Sequence, residues 1–218
     1  IITFFICLLF GIRGNALVSF SLAAFSFSAI IKEFYRGVIS RVKRYHEIPI
    51  NALINLVSKN RTRFGGHIVH LGIVFMFIGF TGNAFDSETE FAIKQGDIHK
   101  FNSYEFELAS VFSRDRLNHF AWVADLIVRD NQEKIITTLY PEKRVYFHRD
   151  PNPDKRQPHS ELDIYGDINR DIYSIFSGFD VEQEIAYFKI MINPLVWWVW
   201  CGAYVLVFGS IISLWPKR

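Results

Sequence analysis

Two histidines three residues apart, His67 and His70, lie in the apolar segment RFGGHIVHLGIVFMFIGFTGN at residues 63–83. Ionisable side chains inside a membrane-spanning helix are costly, so they commonly serve a function. A neutral imidazole is an axial ligand for haem iron. Gly66 lies four residues before His70 and would leave room on the same helix face for a flat macrocycle. This spacing makes His70 a candidate haem ligand. The alternative is a histidine that hydrogen-bonds a neighbouring helix, with the glycines serving close helix packing.

The two histidines are predicted to lie at different depths. A helix that begins near Phe64 would carry His70 roughly 9 Å along its axis, inside the hydrocarbon and nearer the cytoplasmic leaflet. His67 would then lie close to the lipid headgroups, where an ordinary interfacial role is favoured over ligation. Motifs for other chemistry are absent from the sequence, which has no Gly-rich phosphate loop, His-Glu-x-x-His, Cys-x-x-Cys or nucleophile elbow.

The histidines require a helix that crosses a membrane, and the sequence predicts one around them. Residues 64–84 contain no Asp, Glu, Lys or Arg, and 21 residues match the length needed to cross about 30 Å of hydrocarbon. Further apolar residues concentrate at both ends of the chain. The chain begins at Ile1 inside an apolar run with no basic region before it, which indicates the end of a longer span rather than a signal peptide.

Charge divides the chain into segments and orients them. Residues 32–63 hold eight Lys or Arg against two acids, whereas residues 85–190 hold 20 Asp or Glu against 13 Lys or Arg, a net of −7. A basic block beside apolar spans marks the cytoplasmic side, and its charge fits anionic membrane lipid better than nucleic acid. The predicted segments are a truncated span and second transmembrane helix at 1–31, a basic cytoplasmic amphipathic segment at 32–63, a transmembrane helix at 64–84, an extracytoplasmic domain at 85–190 and a C-terminal transmembrane helix at 191–215.

The extracytoplasmic domain is predicted to be mostly β. Residues 122–128 alternate in the strand period, with Trp122, Ala124, Leu126 and Val128 on one face. Asp130 and Asn131 are expected to form a turn, and the proline-containing stretch 150–158 a loop. The other predicted strands cover 104–112, 134–140, 144–148, 161–165, 171–176 and 184–190. The fold class is therefore a fragment of a membrane α-helical bundle, with two full spans and a short or partial N-terminal pair, carrying an inserted β-rich domain.

Five stretches resemble the CcmF family, the haem lyase subunit of cytochrome c maturation, and they follow the family order over almost the whole chain. The order of the motifs is more specific than any one of them. The stretches are KEFYRGVISRVKR at 32–44, GGHIVHLGIVFMFIGFTGN at 65–83, TLYPEKRVYF at 138–147, SELDIYGDINRDIYSIF at 160–176 and INPLVWWVWCGAYVLVFGSIISL at 192–214.

The resemblance implies a cofactor and partners. CcmF proteins hold a transmembrane haem b between two membrane histidines, and the family's His-Leu-Gly histidine matches His70. The implied partners are a missing N-terminal portion or companion subunit of the lyase, the haem chaperone CcmE, a CcmH-type subunit and apocytochrome c. The implied location is the bacterial inner membrane, with residues 85–190 periplasmic, or the mitochondrial inner membrane. The family's tryptophan-rich loop and second haem ligand are not recognisable, so the chain corresponds to the C-terminal third of the family and is expected to be inactive alone.

Two interpretations remain open at this stage. In the competing function, the outer domain is a non-redox, membrane-anchored interaction module and His70 merely packs. The segment Tyr140–Arg144 is either a binding edge or a strand-initiating turn with solvated charges. The remaining histidines are expected to be ordinary surface or loop residues; they are His46, His99, His119, His148 and His159.

Overall fold

The computed structural model describes residues 2–9, 11–12, 14–147 and 157–216, and these fall into two compact units. The first unit joins residues up to Phe85 with those from Pro194 onward, and the second spans Asp86–Asn193. The first is helical. Its elements are α1 (Ile2–Leu9), α2 (Gly14–Tyr45), α3 (Pro49–Lys59), α4 (Arg61–Thr81), a 3₁₀ turn (Gly82–Phe85) and α5 (Val196–Leu214). Helix α2, the segment Arg61–Phe85 and α5 are each long and apolar enough to cross a membrane.

Helix α2 is longer than the span predicted at residues 16–31, because it continues through the basic residues to Tyr45. Charged side chains end the apolar part of a helix without ending the helix itself, and no proline interrupts it before Pro49. At 1.5 Å per residue its 32 residues extend roughly 48 Å, well beyond a hydrocarbon core of about 30 Å. Pro49, at the first position of α3, suits a helix start because it lacks the N–H that would be unpaired there.

Helices α4 and α5 form a hairpin packed through glycines spaced seven residues apart. On α4 these are Gly65, Gly72 and Gly79, and on α5 they are Gly202 and Gly209. A Cβ on Gly72 would lie 2.6 Å from the carbonyl oxygen of Gly202, so the two backbones are in direct contact there. Small residues at such positions allow close helix approach in membranes, where dispersion and weak polar contacts replace the hydrophobic effect.

The second unit is a β-sandwich of two sheets, which confirms the mostly-β prediction. One sheet has the order β1 (Ser87–Lys94), β10 (Ile185–Pro194), β9 (Arg170–Asp180), β8 (Asp163–Gly166). The other has the order β2 (Ile98–Phe101), β3 (Tyr104–Asp115), β4 (His119–Asp130), β6 (Glu142–Tyr146), β7 (His159–Glu161), with β5 (Ile135–Leu139) also paired to β4.

The sandwich core confirms the predicted face of the strand around residue 125. Ala124, Leu126 and Val128 are fully buried, and Trp122 packs against the same cluster. The turn predicted at Asp130 is also present, because its Oδ1 accepts hydrogen bonds from the backbone N–H groups of Gln132 and Lys134. Asx side chains favour turns through such bonds. The predicted 150–158 loop lies almost entirely outside the described residues.

Candidate functional site

A groove of about 910 Å³ runs between α2 and α4 in the helical unit, and both His67 and His70 line it. Its size is within the range of small-molecule and cofactor sites. Most of the lining is apolar, which suits a hydrophobic ligand. Helix α4 contributes His67, His70, Ile73, Val74 and Phe77, and α2 contributes Asn15, Val18, Ser19, Leu22, Ala23, Phe25, Ser26, Ala29, Ile30 and Glu33.

The His70 imidazole is exposed in this groove and is held by its own helix. Its Nδ1 lies 2.7 Å from the carbonyl oxygen of Gly66. In the neutral imidazole this contact requires Nδ1–H to donate, which leaves the lone pair on Nε2. Metal-binding histidines commonly have their second nitrogen held by a carbonyl or carboxylate, which fixes both tautomer and ring orientation. The local geometry of His70 is therefore that of a ligand-ready imidazole.

The two neighbouring glycines of α4 have different surroundings, although they are adjacent in the sequence. A Cβ on Gly65 would lie 2.7 Å from the backbone nitrogen of Ser213 on α5, whereas a Cβ on Gly66 would meet no atom within 4 Å. Gly65 thus serves helix packing. Gly66 leaves open space on the helix face of His70, where the sequence analysis expected room for a macrocycle.

His67 is more enclosed than His70. The helix begins at Arg61 rather than near Phe64, which moves His67 almost one turn further from the helix start than predicted. Its ring is half-buried and makes edge contacts with Phe34 and Phe64, with centroid distances of 6.2 and 5.8 Å. Those contacts describe a packed side chain that also borders the groove.

Polar contacts join the two walls of the groove at both ends. At one end Glu33 of α2 forms an ion pair with Arg63 of α4. At the other end the hydroxyls of Ser19 and Thr81 lie 2.5 Å apart, and Thr81 also donates to the carbonyl of Phe77. These contacts fix the spacing of α2 and α4, so the groove is held open as a shaped cleft.

The groove's donor set fits a metal that brings most of its own ligands. Within the described residues no three His, Cys, Asp or Glu side chains cluster to hold a bare ion. Haem iron takes four ligands from the porphyrin and needs only axial ones from the protein. One exposed imidazole in an apolar cleft therefore fits haem better than a protein-ligated ion such as zinc, which takes three or four protein ligands.

The sequence analysis missed the contribution of α2 to this groove. Small residues recur along one face of that helix at Ser19, Ala23 and Ser26, followed by Ala29. Their spacing of three or four residues is the signal that could have indicated a cleft facing α4.

The other histidines do not join the groove. His46 has a positive φ of 54° just after α2 ends. His119 and His159 flank the Tyr146 ring in the sandwich at 5.2 and 6.1 Å. His148 lies outside the described residues. His99 stacks on Phe91 with a centroid distance of 3.9 Å and an interplanar angle of 10°.

The stacked position of His99 predicts a pH dependence of the sandwich. Burial lowers the pKa of His99 from its ordinary value of 6.5, because the charged form is less well solvated against Phe91. Below that value the unfolded chain binds more protons than the folded one, so stability falls as pH decreases through the folded-state pKa. Hydrogen exchange of the backbone in β1–β3, corrected for intrinsic rates, should give lower opening free energies at pH 5.5 than at pH 7.5.

The variant His99→Phe preserves the stacked ring and removes the titration, so it is the matched control. Its opening free energy should change less between the two pH values than that of the wild type. An identical pH dependence in both proteins would contradict the assignment to His99.

The structure favours the turn interpretation of Tyr140–Arg144. Pro141 is fully buried, and the backbone N–H of Tyr140 donates to Asp163 at 2.8 Å. Glu142 then begins β6, and its carboxylate pairs with Arg114 and Arg144. The charges of this segment are used inside the sheet.

Comparison with known proteins gives consistent relationships. The sequence profile described as "CcmF C-terminal beta-sandwich" matches residues 84–194. The cytochrome c-type biogenesis protein Ccl1 of Rhodobacter capsulatus is 31% identical over 160 residues, covering 72% of this chain and 23% of that protein. CcmF of Pseudomonas aeruginosa is 24% identical over 163 residues, covering 74% of this chain and 23% of that protein.

A solved structure shares the fold. The chain titled "Cytochrome c Heme Lyase CcmF" aligns over 98% of this chain and 33% of its own length, with a TM-score of 0.73 and 20% identity. This chain therefore spans about a quarter of the length of the curated relatives and a third of the solved structure.

Proposed function

This chain belongs to the CcmF family, and from that premise we propose that it acts in cytochrome c biogenesis as the C-terminal part of a haem lyase subunit. Its specific contribution is one axial ligand, His70, to a transmembrane haem b. The observation that carries this proposal is the His70 imidazole, exposed in an apolar groove with Nδ1 held by the Gly66 carbonyl.

The residues around His70 have separable roles in this proposal. Gly66 fixes the tautomer through its carbonyl and leaves space beside the ring through its missing side chain. Ile73, Val74 and Phe77 form an apolar wall that excludes water, which matters because burial and solvent access set the electronic properties of such a site. Bound haem would supply one-electron redox chemistry. The second axial ligand is assigned to the part of the subunit that the longer relatives contain and this chain does not match.

The β-sandwich is proposed to lie on the periplasmic side of a bacterial inner membrane, with the basic residues 32–63 on the cytoplasmic side. Basic segments beside membrane spans are retained in the cytoplasm, and the sandwich carries most of the chain's acids. On that side it would meet the haem chaperone CcmE, a CcmH-type subunit and apocytochrome c. The equivalent location in mitochondria is the inner membrane.

The haem content of the purified complex tests this function. The chain is co-expressed with an N-terminal companion region from a relative such as Ccl1, and the complex is purified and assayed as a pyridine haemochrome. We expect haem b at a stoichiometric level and a reduced b-type absorption spectrum.

The second candidate function, a membrane-anchored interaction module, rests on the compact sandwich that the chain carries. It predicts that partners co-purify with the chain while haem stays at the level of an unrelated membrane protein prepared in the same way. A complex without haem would reject the first function in favour of the second.

A further inference from the structure

A second groove, of about 540 Å³, lies between α3, α4 and α5 and takes no part in the site described above. On α4 it uses Ile68, whereas His67 and His70 border the first groove. Apolar side chains form nearly all of its lining, and its polar members are Ser58 and Arg61. The other lining residues are Leu53, Ile54, Val57, Phe208, Ile211, Ile212 and Trp215.

Helix α3 has more apolar surface than its protein contacts cover. Ala52 and Leu56 are buried, and Leu56 contacts α2 so closely that a Cβ on Gly37 would lie 2.5 Å from its Cδ2. A neighbouring stripe containing Ile54 and Val57 borders the groove instead, and the Ile54 side chain is 60% exposed. An amphipathic helix next to membrane spans normally buries such a stripe in the acyl-chain region.

Helix α5 contributes a matching stripe. Phe208, Ile211, Ile212 and Trp215 follow a spacing of three, four and seven residues, so they share one face. Phe208, Ile211 and Trp215 are each more than half exposed. Tryptophan near the end of a span is typical of the membrane interface, where the ring has apolar and polar neighbours.

The polar side chains lie where α3 gives way to α4. Arg61 donates from Nη1 to the carbonyl oxygen of Pro216 at 2.9 Å, which fixes the guanidinium beside the groove. A guanidinium has five N–H donors, so donors remain for an anion. Ser58 supplies a hydroxyl, and residues 32–63 carry a strong excess of basic charge. The groove thus has an apolar body and a cationic end.

We propose that this groove binds one acyl chain of an anionic phospholipid, with the lipid phosphate at Arg61 and Ser58. The size of the groove argues against a further transmembrane helix. Such a helix is about 10 Å across and 30 Å long, so it fills several times the volume of this cleft. The cationic end is complementary to a phosphate rather than to a neutral hydrocarbon.

Quenching of Trp215 by brominated lipid tests the proposal on the full chain. The purified chain is placed in mixed micelles with phosphatidylglycerol or phosphatidylcholine brominated on one acyl chain. Subtracting the signal of Trp215→Phe isolates the Trp215 contribution from the other tryptophans. We expect saturable quenching at a concentration of phosphatidylglycerol about fivefold lower than that of phosphatidylcholine, the ratio expected for one basic side chain at an anionic headgroup.

Two variants separate a defined site from general attraction. Arg61→Gln should bring the two lipids to equal half-saturation, whereas Lys43→Gln, which removes an exposed charge of α2 that does not border the groove, should retain the preference. Val57→Phe fills the groove and should reduce quenching by both lipids. The proposal would be overturned by equal affinity for the two lipids in the wild type, by equal effects of Arg61→Gln and Lys43→Gln, or by Trp215 quenching that Val57→Phe leaves intact.

Discussion

Replacing Gly72 by leucine is expected to separate α4 from α5 and to cost the helical unit about 3 kcal/mol or more of unfolding free energy. A side chain at this position would enter the backbone of the partner helix. Its Cβ would lie 2.6 Å from both the carbonyl oxygen of Gly202 and the backbone nitrogen of Leu206. Backbone atoms cannot rotate away as a flexible side chain can, so the helices themselves must move.

The same contact is made from the other side, which is why the expected effect is large. A Cβ on Gly202 would lie 2.5 Å from the carbonyl oxygen of Gly72, and one on Gly209 would lie 2.6 Å from the nitrogen of Val69. Moving the helices apart at one point therefore removes close contacts along the whole seam. Lost dispersion and weak Cα–H···O contacts are not replaced, since lipid chains cannot enter so narrow a gap.

The measurement for Gly72→Leu is unfolding of the chain by SDS titration in mixed micelles, followed by circular dichroism. Gly66→Ala is the matched control, because a Cβ there meets nothing within 4 Å. In that variant stability should be unchanged or higher by up to about 1 kcal/mol, the helix-propensity difference between alanine and glycine. If Gly72→Leu unfolds at the wild-type midpoint, the proposed close packing of α4 on α5 is wrong.

The second large expected effect is the loss of haem from His70→Ala. Removing a metal ligand should cost more than removing one of its supporting groups, which typically costs between tenfold and a hundredfold. We expect the haem content of the purified complex to fall at least tenfold at equal protein level.

His67→Ala is the control for this prediction because His67 lines the same groove but packs between Phe34 and Phe64. It should retain most of the haem. Protein yield and the SDS unfolding midpoint of both variants must match the wild type, so that misfolding is excluded. Equal haem loss in the two variants would show that the groove, rather than the His70 imidazole, determines binding.

The sequence predicted the elements whose patterns are local. The period of the β4 strand from Trp122 to Val128 and the Asx turn at Asp130 depend on nearest neighbours, and both are present. Strands β1 and β2 were missed. The segment SETEFAIK at 87–94 carries two glutamates that point away from the core and pair with Lys189 of β10, and a partner almost one hundred residues away is not visible in a local pattern.

The candidate site was predictable only in part for the same reason. His70 and the space at Gly66 follow from helical spacing on α4. The opposite wall on α2 could not be assigned to it, because that pairing depends on contacts between residues about thirty and sixty apart, such as Glu33 with Arg63 and Ser19 with Thr81. Gly65 and Gly66 were also indistinguishable in the sequence, and only the position of α5 separates their roles.

The most direct test of the central claim is the haem reduction potential of the complex carrying His70→Met. Axial ligand identity sets haem potentials over a range of about 0.8 V, and exchanging histidine for methionine raises them. Haem ligated by residue 70 should therefore remain bound with a clearly higher midpoint potential, while His67→Met leaves the wild-type potential unchanged. Retained haem with an unaltered potential in His70→Met, or the same shift in His67→Met, would contradict the assignment of His70 as the axial ligand.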